Sequence, residues 1–246
     1  MVLRFFLLAV AFLLSCTNIE RDSICDKKSI FYKGCIPPSP SVIYEGETYK
    51  TVVIGEQVWL ARNLNYAVPG SKCGGDDYNL KDENTKYCNT YGRLYNWATA
   101  MALPEECNSS VFSCTSQIKA KHQGICPSGW HIPNNDDWEK LVNYVESNND
   151  CSNCAAKYLK ATSGWNDYQG KSGNGENTFE FSALPGGFGY PDGKFSNVGF
   201  GSCWGSANDE GGYAYNWKMR SDIENVVSGE YIYTKDYLYS VRCVKD

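Results

Sequence analysis

Histidine is nearly missing from this sequence: His122 and His131 are the only two in 246 residues. That scarcity excludes His-rich zinc centres and paired-His metalloprotease helices. Long single-sign charge runs are missing too. The net charge is -5 with 21% charged residues, so the basic footprint of a nucleic-acid binder is not there. The apolar run from Phe5 to Leu14 is about half of the roughly 20 residues that a transmembrane helix needs. No period of 20 to 50 residues recurs, which argues against a solenoid or propeller. A second Cys-x-x-Cys is also lacking, so Cys151 and Cys154 have no matching half with which to complete a zinc site.

Cysteine, by contrast, is abundant. Twelve in a chain of this size point to an oxidising compartment. Arg4, the short apolar run and Leu13-Leu14-Ser15-Cys16 read as a signal peptide whose end resembles a bacterial lipobox. Residues 1–15 are therefore expected to be removed and Cys16 to carry a lipid pair, which anchors stably where one chain would not. Residues 16–44 read as a tether: Cys25 and Cys35 bracket a small loop, and Pro37-Pro38-Ser39-Pro40 favours a semi-rigid spacer. The main domain is expected over 45–246.

Thr48 to Ile54 and Gln57 to Ala61 are strand-like runs separated by Gly55-Glu56, which predicts a tight hairpin. Leu94, Trp97, Ala98 and Met101 fall at helical spacing, predicting a helix from near Tyr91 to before Pro104. Trp138, Leu141, Val142 and Val145 repeat that spacing in a second helix, begun by Asn134 with Asp136 and Asp137 in its first turn. A shorter helix is expected over Ala155 to Ala161. Beyond Gly164, strand-like pieces lie at Phe179–Leu184, Gly199–Ser206, Tyr213–Met219 and Tyr237–Val244, between long glycine-rich loops. The order predicts an α+β fold: an N-terminal hairpin, two main helices, then short antiparallel strands.

Several motifs are more specific. Tyr49-Lys50-Thr51-Val52-Val53-Ile54-Gly55, Gln57-Val58-Trp59-Leu60-Ala61-Arg62-Asn63-Leu64, Tyr91-Gly92-Arg93-Leu94-Tyr95-Asn96-Trp97, Gly124 to Pro133, Phe181 to Gly187 and Ser240-Val241-Arg242-Cys243-Val244 keep a distinctive order. Together they resemble the Fibrobacter succinogenes major paralogous domain over residues 45–246. That family is similar in turn to C-type-lectin-like folds and to formylglycine-generating enzymes. The resemblance implies a C-type-lectin-like fold in an envelope-associated protein. Family members commonly carry an aromatic just before Trp204, where this chain has Cys203.

Local spacing suggests the disulfides Cys25–Cys35, Cys73–Cys88, Cys107–Cys114 and Cys151–Cys154, with Cys126 then left to pair with Cys243. With Cys16 lipidated the remainder is odd, and Cys203 is expected to be a buried free thiol. His131 is read as a structural histidine that bonds backbone. Asp76, Asp77, Asp82 and Glu83 read as a solvated acidic loop, their spacing matching no EF-hand. Trp165, Tyr168, Tyr190, Tyr213 and Trp217 lie in glycine-rich or strand-edge regions, where rings can stack on sugars, and are the ligand-binding candidates. No catalytic residue, metal or cofactor is expected. The expected function is noncatalytic binding of glycan or an envelope protein by a protein lipid-anchored through Cys16, at the outer membrane or cell surface. The alternatives are an oxidase or hydrolase on the same scaffold, which a cleft uniting Cys203, a histidine and a metal would favour, and a purely structural envelope protein.

Overall fold

A computed structural model describes residues 40–75, 85–109, 114–210, 212–229 and 233–246. The leader, Cys16, the Cys25–Cys35 pair, nearly all of the tether and the acidic loop from Asp76 to Glu83 lie outside the described residues.

The described residues begin with a meander of β1 (Ser41–Tyr44), β2 (Glu47–Ile54) and β3 (Gln57–Leu60). The expected hairpin closes at Gly55-Glu56, with Ile54 opposite Gln57. Strand β1 corrects the boundary at residue 44, because Ser41–Tyr44 already pair with β2. Glu45 and Gly46 both take positive φ, 49° and 78°, which makes the two-residue turn that joins them. Next come α1 (Thr85–Tyr91), β4 (Leu94–Tyr95), α2 (Trp97–Ala100), β5 (Trp130–His131), α3 (Asn135–Asn148) and α4 (Ala155–Leu159). The remainder is β6 (Gly186–Gly189), β7 (Phe195–Val198), β8 (Gly201–Glu210), β9 (Tyr213–Arg220), β10 (Val227–Ser228), β11 (Tyr233–Thr234), β12 (Tyr239–Ser240) and β13 (Val244–Lys245).

Two sheets result. One has the order β1-β2-β3-β13-β5, so the first and last strands of the domain share it. The other runs β10-β9-β8-β12-β4, with β6, β7 and β11 attached. The α+β class holds, and most pairings are antiparallel, but β8 pairs in parallel with both β6 and β12.

Three expected elements differ. The helix predicted from Tyr91 is broken at Gly92, which has φ +80° and packs so closely that a Cβ would meet the Leu64 carbonyl oxygen at 2.7 Å. Leu94 and Tyr95 leave instead to pair with β12, and a single turn, α2, restarts where the Asn96 side chain accepts the Thr99 N–H. All four residues of the apolar stripe are buried anyway, which is why the helical spacing misled. Residues 179–184 form no strand, because Glu180 and Ser182 adopt positive φ. The last strand-like piece is split between the two sheets as β12 and β13, and its residues 239–244 are buried on both faces.

Helix α3 forms as expected, with a capping box: Asn134 accepts the Asp137 N–H, and the Asp137 carboxylate accepts the Asn134 N–H. It is the one main helix among the described residues, since the others run seven residues or fewer. Its Trp138, Leu141 and Val145 face a core that also holds Trp59, Trp204, Trp217 and Phe181. Trp138 stacks on Trp217 at 5.9 Å and touches Trp59 at 5.1 Å. A second cluster, with Tyr49, Tyr95, Trp97, Trp130 and Tyr239, lies beside the disulfides. Cys73–Cys88, Cys107–Cys114, Cys126–Cys243 and Cys151–Cys154 are formed, and Cys203 is free and buried.

Candidate functional site

Four of the six motifs that carry the family resemblance converge on a buried polar hub. Asn63 Oδ1 accepts hydrogen bonds from Trp204 Nε1 at 2.8 Å and from Arg242 Nε and Nη2 at 3.0 and 2.6 Å. Its amide donates to the Tyr91 carbonyl and to Ser240 Oγ. Arg242 also donates to the Phe181 carbonyl and lies 4.4 Å over that ring. Burial pushes the guanidinium down to about 9, since a charge in this interior is costly even when hydrogen-bonded. This hub joins both sheets and the 179–184 segment, and with Arg242 1% exposed and Asn63 4% it is built into the interior of the fold.

The backbone-bonding role expected of His131 falls to His122. His122 bonds backbone: Nε2 donates to the Met101 carbonyl at 2.7 Å, and Nδ1 accepts the Lys119 N–H. His131 instead sits between two carboxylates, with Nδ1 2.8 Å from Asp246 and Nε2 3.1 Å from Asp137. Burial disfavours its cation, but the two carboxylates outweigh that and raise its pKa. Asp137 mirrors it: burial opposes its charge, yet His131 and the Asn134 N–H hold its carboxyl below the usual range. Cys203 lies in the core, and burial pushes its thiol up to about 12, so it behaves as a small hydrophobe and not as a nucleophile.

Among the described residues, a groove of about 880 Å³ lies at the edge of the second sheet. Three walls build it. The first holds Lys72 and Cys73, fastened by the Cys73–Cys88 bridge. The second combines Asn96 with Glu105, Asn108 and Ser109, fastened by Cys107–Cys114. The third is the β6–β7 hairpin, with Tyr190, Asp192 and Phe195, beside Asp236 and Leu238. Asn108 accepts the Ala98 N–H at 2.9 Å, which fixes the second wall to α2. Tyr190 packs on Phe188 at 5.0 Å and on Tyr237 at 5.6 Å, so its ring is held before any ligand arrives. The backbone N–H and the ammonium of Lys194 hold the Asp192 carboxyl below the usual carboxylate range. The Thr234 hydroxyl donates to Asp236.

Of the five aromatic candidates, only Tyr190 lines this groove. Trp165 and Trp217 are corrected to core residues, 4% and 5% exposed. Trp165 Nε1 donates to the Ala183 carbonyl, and the Lys160 ammonium lies 5.1 Å from its ring. Trp217 Nε1 donates to Asn135 Oδ1. Tyr168 and Tyr213 are 42% and 41% exposed, outside the groove. Sequence reasoning missed Phe195, Asn96, Asn108, Glu105, Asp192 and Asp236. A signal for the third wall was present in Pro191-Asp192-Gly193, a turn sequence in which Gly193 takes φ +86° and its N–H donates to the Tyr190 carbonyl.

Fold and site together define a disulfide-braced α+β domain with a loop-built groove lined by rings, amides and carboxylates. The chain belongs to the Fibrobacter succinogenes major domain family, which it matches over residues 52–245. No curated protein and no solved structure is found to match it.

Proposed function

We propose that this chain is an exported envelope protein, lipid-anchored through Cys16 at the outer membrane or cell surface, whose domain binds glycan without catalysis on a C-type-lectin-like scaffold. The groove carries this reading. A pre-held Tyr190 and a neighbouring Phe195 supply flat apolar faces, and amides and carboxylates around them supply hydroxyl partners. Two disulfides brace its rim, so little ordering cost falls on binding. The scaffold likeness draws support from a hairpin and last strand sharing one sheet, with the Cys126–Cys243 bridge tying the last strand back. An oxidase or hydrolase on this scaffold has less support. Cys203, His122 and His131 lie apart from the groove lining, and Cys203 is buried.

The test pans the purified full chain in detergent against immobilised polysaccharides and envelope fractions. Retention on a polysaccharide that Tyr190→Ala weakens, while folding is preserved, supports the reading. Capture of envelope protein alone would move it to the protein-binding alternative, and no retention to the structural one.

A further inference from the structure

The charge of the groove narrows what it can hold. Among the described residues, three carboxylates line it, on Glu105, Asp192 and Asp236, against one lysine, Lys72. Lys194 pairs with Asp192 at 3.1 Å and offsets that charge, and Lys72 offsets one more, so Glu105 and Asp236 leave the described lining negative. A carboxylate accepts hydrogen bonds and donates none when ionised. Sugar hydroxyls and ammonium groups satisfy it, whereas a uronate or sulfate brings a second acceptor charge to the same rim. A like charge at about 4 Å costs about fivefold in affinity at the dielectric of water, before salt screening. Tyr190 and Phe195 demand in addition a ligand with an apolar face.

We propose that the groove selects uncharged or amino-bearing saccharides and rejects acidic ones. This rests on the glycan reading of the same site. Selection arises from Glu105 and Asp236, and affinity from the Tyr190 and Phe195 faces.

The experiment measures binding of the full chain in detergent to two sets of oligosaccharides: xylan, mannan, β-glucan, chitin and chitosan fragments, and polygalacturonate, alginate and chondroitin sulfate fragments. At least one of the first set is expected to bind about tenfold or more tightly than any of the second. Tyr190→Ala weakens that binding about tenfold. The double variant Glu105→Gln/Asp236→Asn gains affinity for the acidic set, a readout that a folding defect would not produce. Acidic fragments binding the unaltered protein as well as neutral ones overturns the charge selection and leaves the glycan reading standing. Binding to neither set overturns both.

Discussion

Trp138 touches Trp59, Trp204 and Trp217 in the interior, whereas Tyr190 rests on Phe188 and Tyr237 and remains partly exposed as a groove wall. Both regions are aromatic clusters, yet they perform different work. The tryptophan cluster removes large apolar surfaces from water and so contributes most of its free energy to folding. The groove rings are left available, and their neighbours serve to hold them in place. The bridges differ in the same way. Cys126–Cys243 spans 117 residues and ties the last strand to the rest, while Cys73–Cys88 and Cys107–Cys114 span 15 and 7 and brace the groove.

The contrast predicts its largest effect at the long bridge. Replacing Cys126 and Cys243 by Ala should lower stability by about 4 to 5 kcal/mol, as loop-closure entropy implies for a loop on the order of 100 residues. Loss of either groove bridge should cost about 3 kcal/mol or less, and should weaken ligand retention by more than its cost in stability implies. Denaturant titration of the three double variants, alongside panning, checks both. Equal stability losses would show that the bridges do not divide the work this way.

Trp217→Ala comes next, with an expected cost of about 3 to 5 kcal/mol, the range for truncating a buried aromatic. Its position in glycine-rich sequence had suggested an exposed sugar-stacking ring. A stability change under about 1 kcal/mol in chemical denaturation would return it to the surface.

A smaller, pH-dependent effect belongs to His131. Its pKa is raised in the folded chain, so its contribution is complete below its unfolded value and fades as pH rises through the folded one. Asp137 has a lowered pKa, so its contribution holds above its unfolded value and fades as pH falls through the folded one. The contact therefore stabilises most between about pH 4 and 6.5 and weakens on both sides. The thermal midpoint of the full chain, measured against a His131→Gln variant, should differ most inside that window. A difference that stays constant across pH would mean that His131 acts through packing alone.

What the sequence revealed and concealed follows the same division. The β2–β3 hairpin and α3 were legible because turn chemistry, capping and apolar spacing agreed locally. The pairing of Cys126 with Cys243 followed from exclusion of nearer partners. The helix expected from Tyr91 failed because Gly92 answers to a carbonyl 28 residues earlier, that of Leu64, and local spacing carries no trace of that contact. Phe181 alternates with polar neighbours as a strand residue would, but Arg242 claims its carbonyl and its ring. The groove was the least legible part. Its walls come from five separate stretches of chain, none apolar enough or regular enough to stand out, and only the loop carrying Tyr190 combined an aromatic with a turn signal.

The smallest expected effect isolates exposure from function. Tyr168 is 42% exposed, meets Phe200 edge-on at 6.3 Å, and lies outside the groove. Exposed side chains away from such sites change stability by about 0.5 kcal/mol or less when truncated. Tyr168→Ala should therefore leave both the unfolding midpoint and polysaccharide retention where they are, while Tyr190→Ala lowers retention by more than the stability lost with its contacts to Phe188 and Tyr237 implies. The pair separates two meanings of a surface ring: one merely not buried, and one held by Phe188 and Tyr237 so that its free face is useful. Equal loss of retention in both variants would extend the binding surface beyond the groove to Tyr168 and Phe200, and the charge selection at Glu105 and Asp236 would then govern only part of the contact.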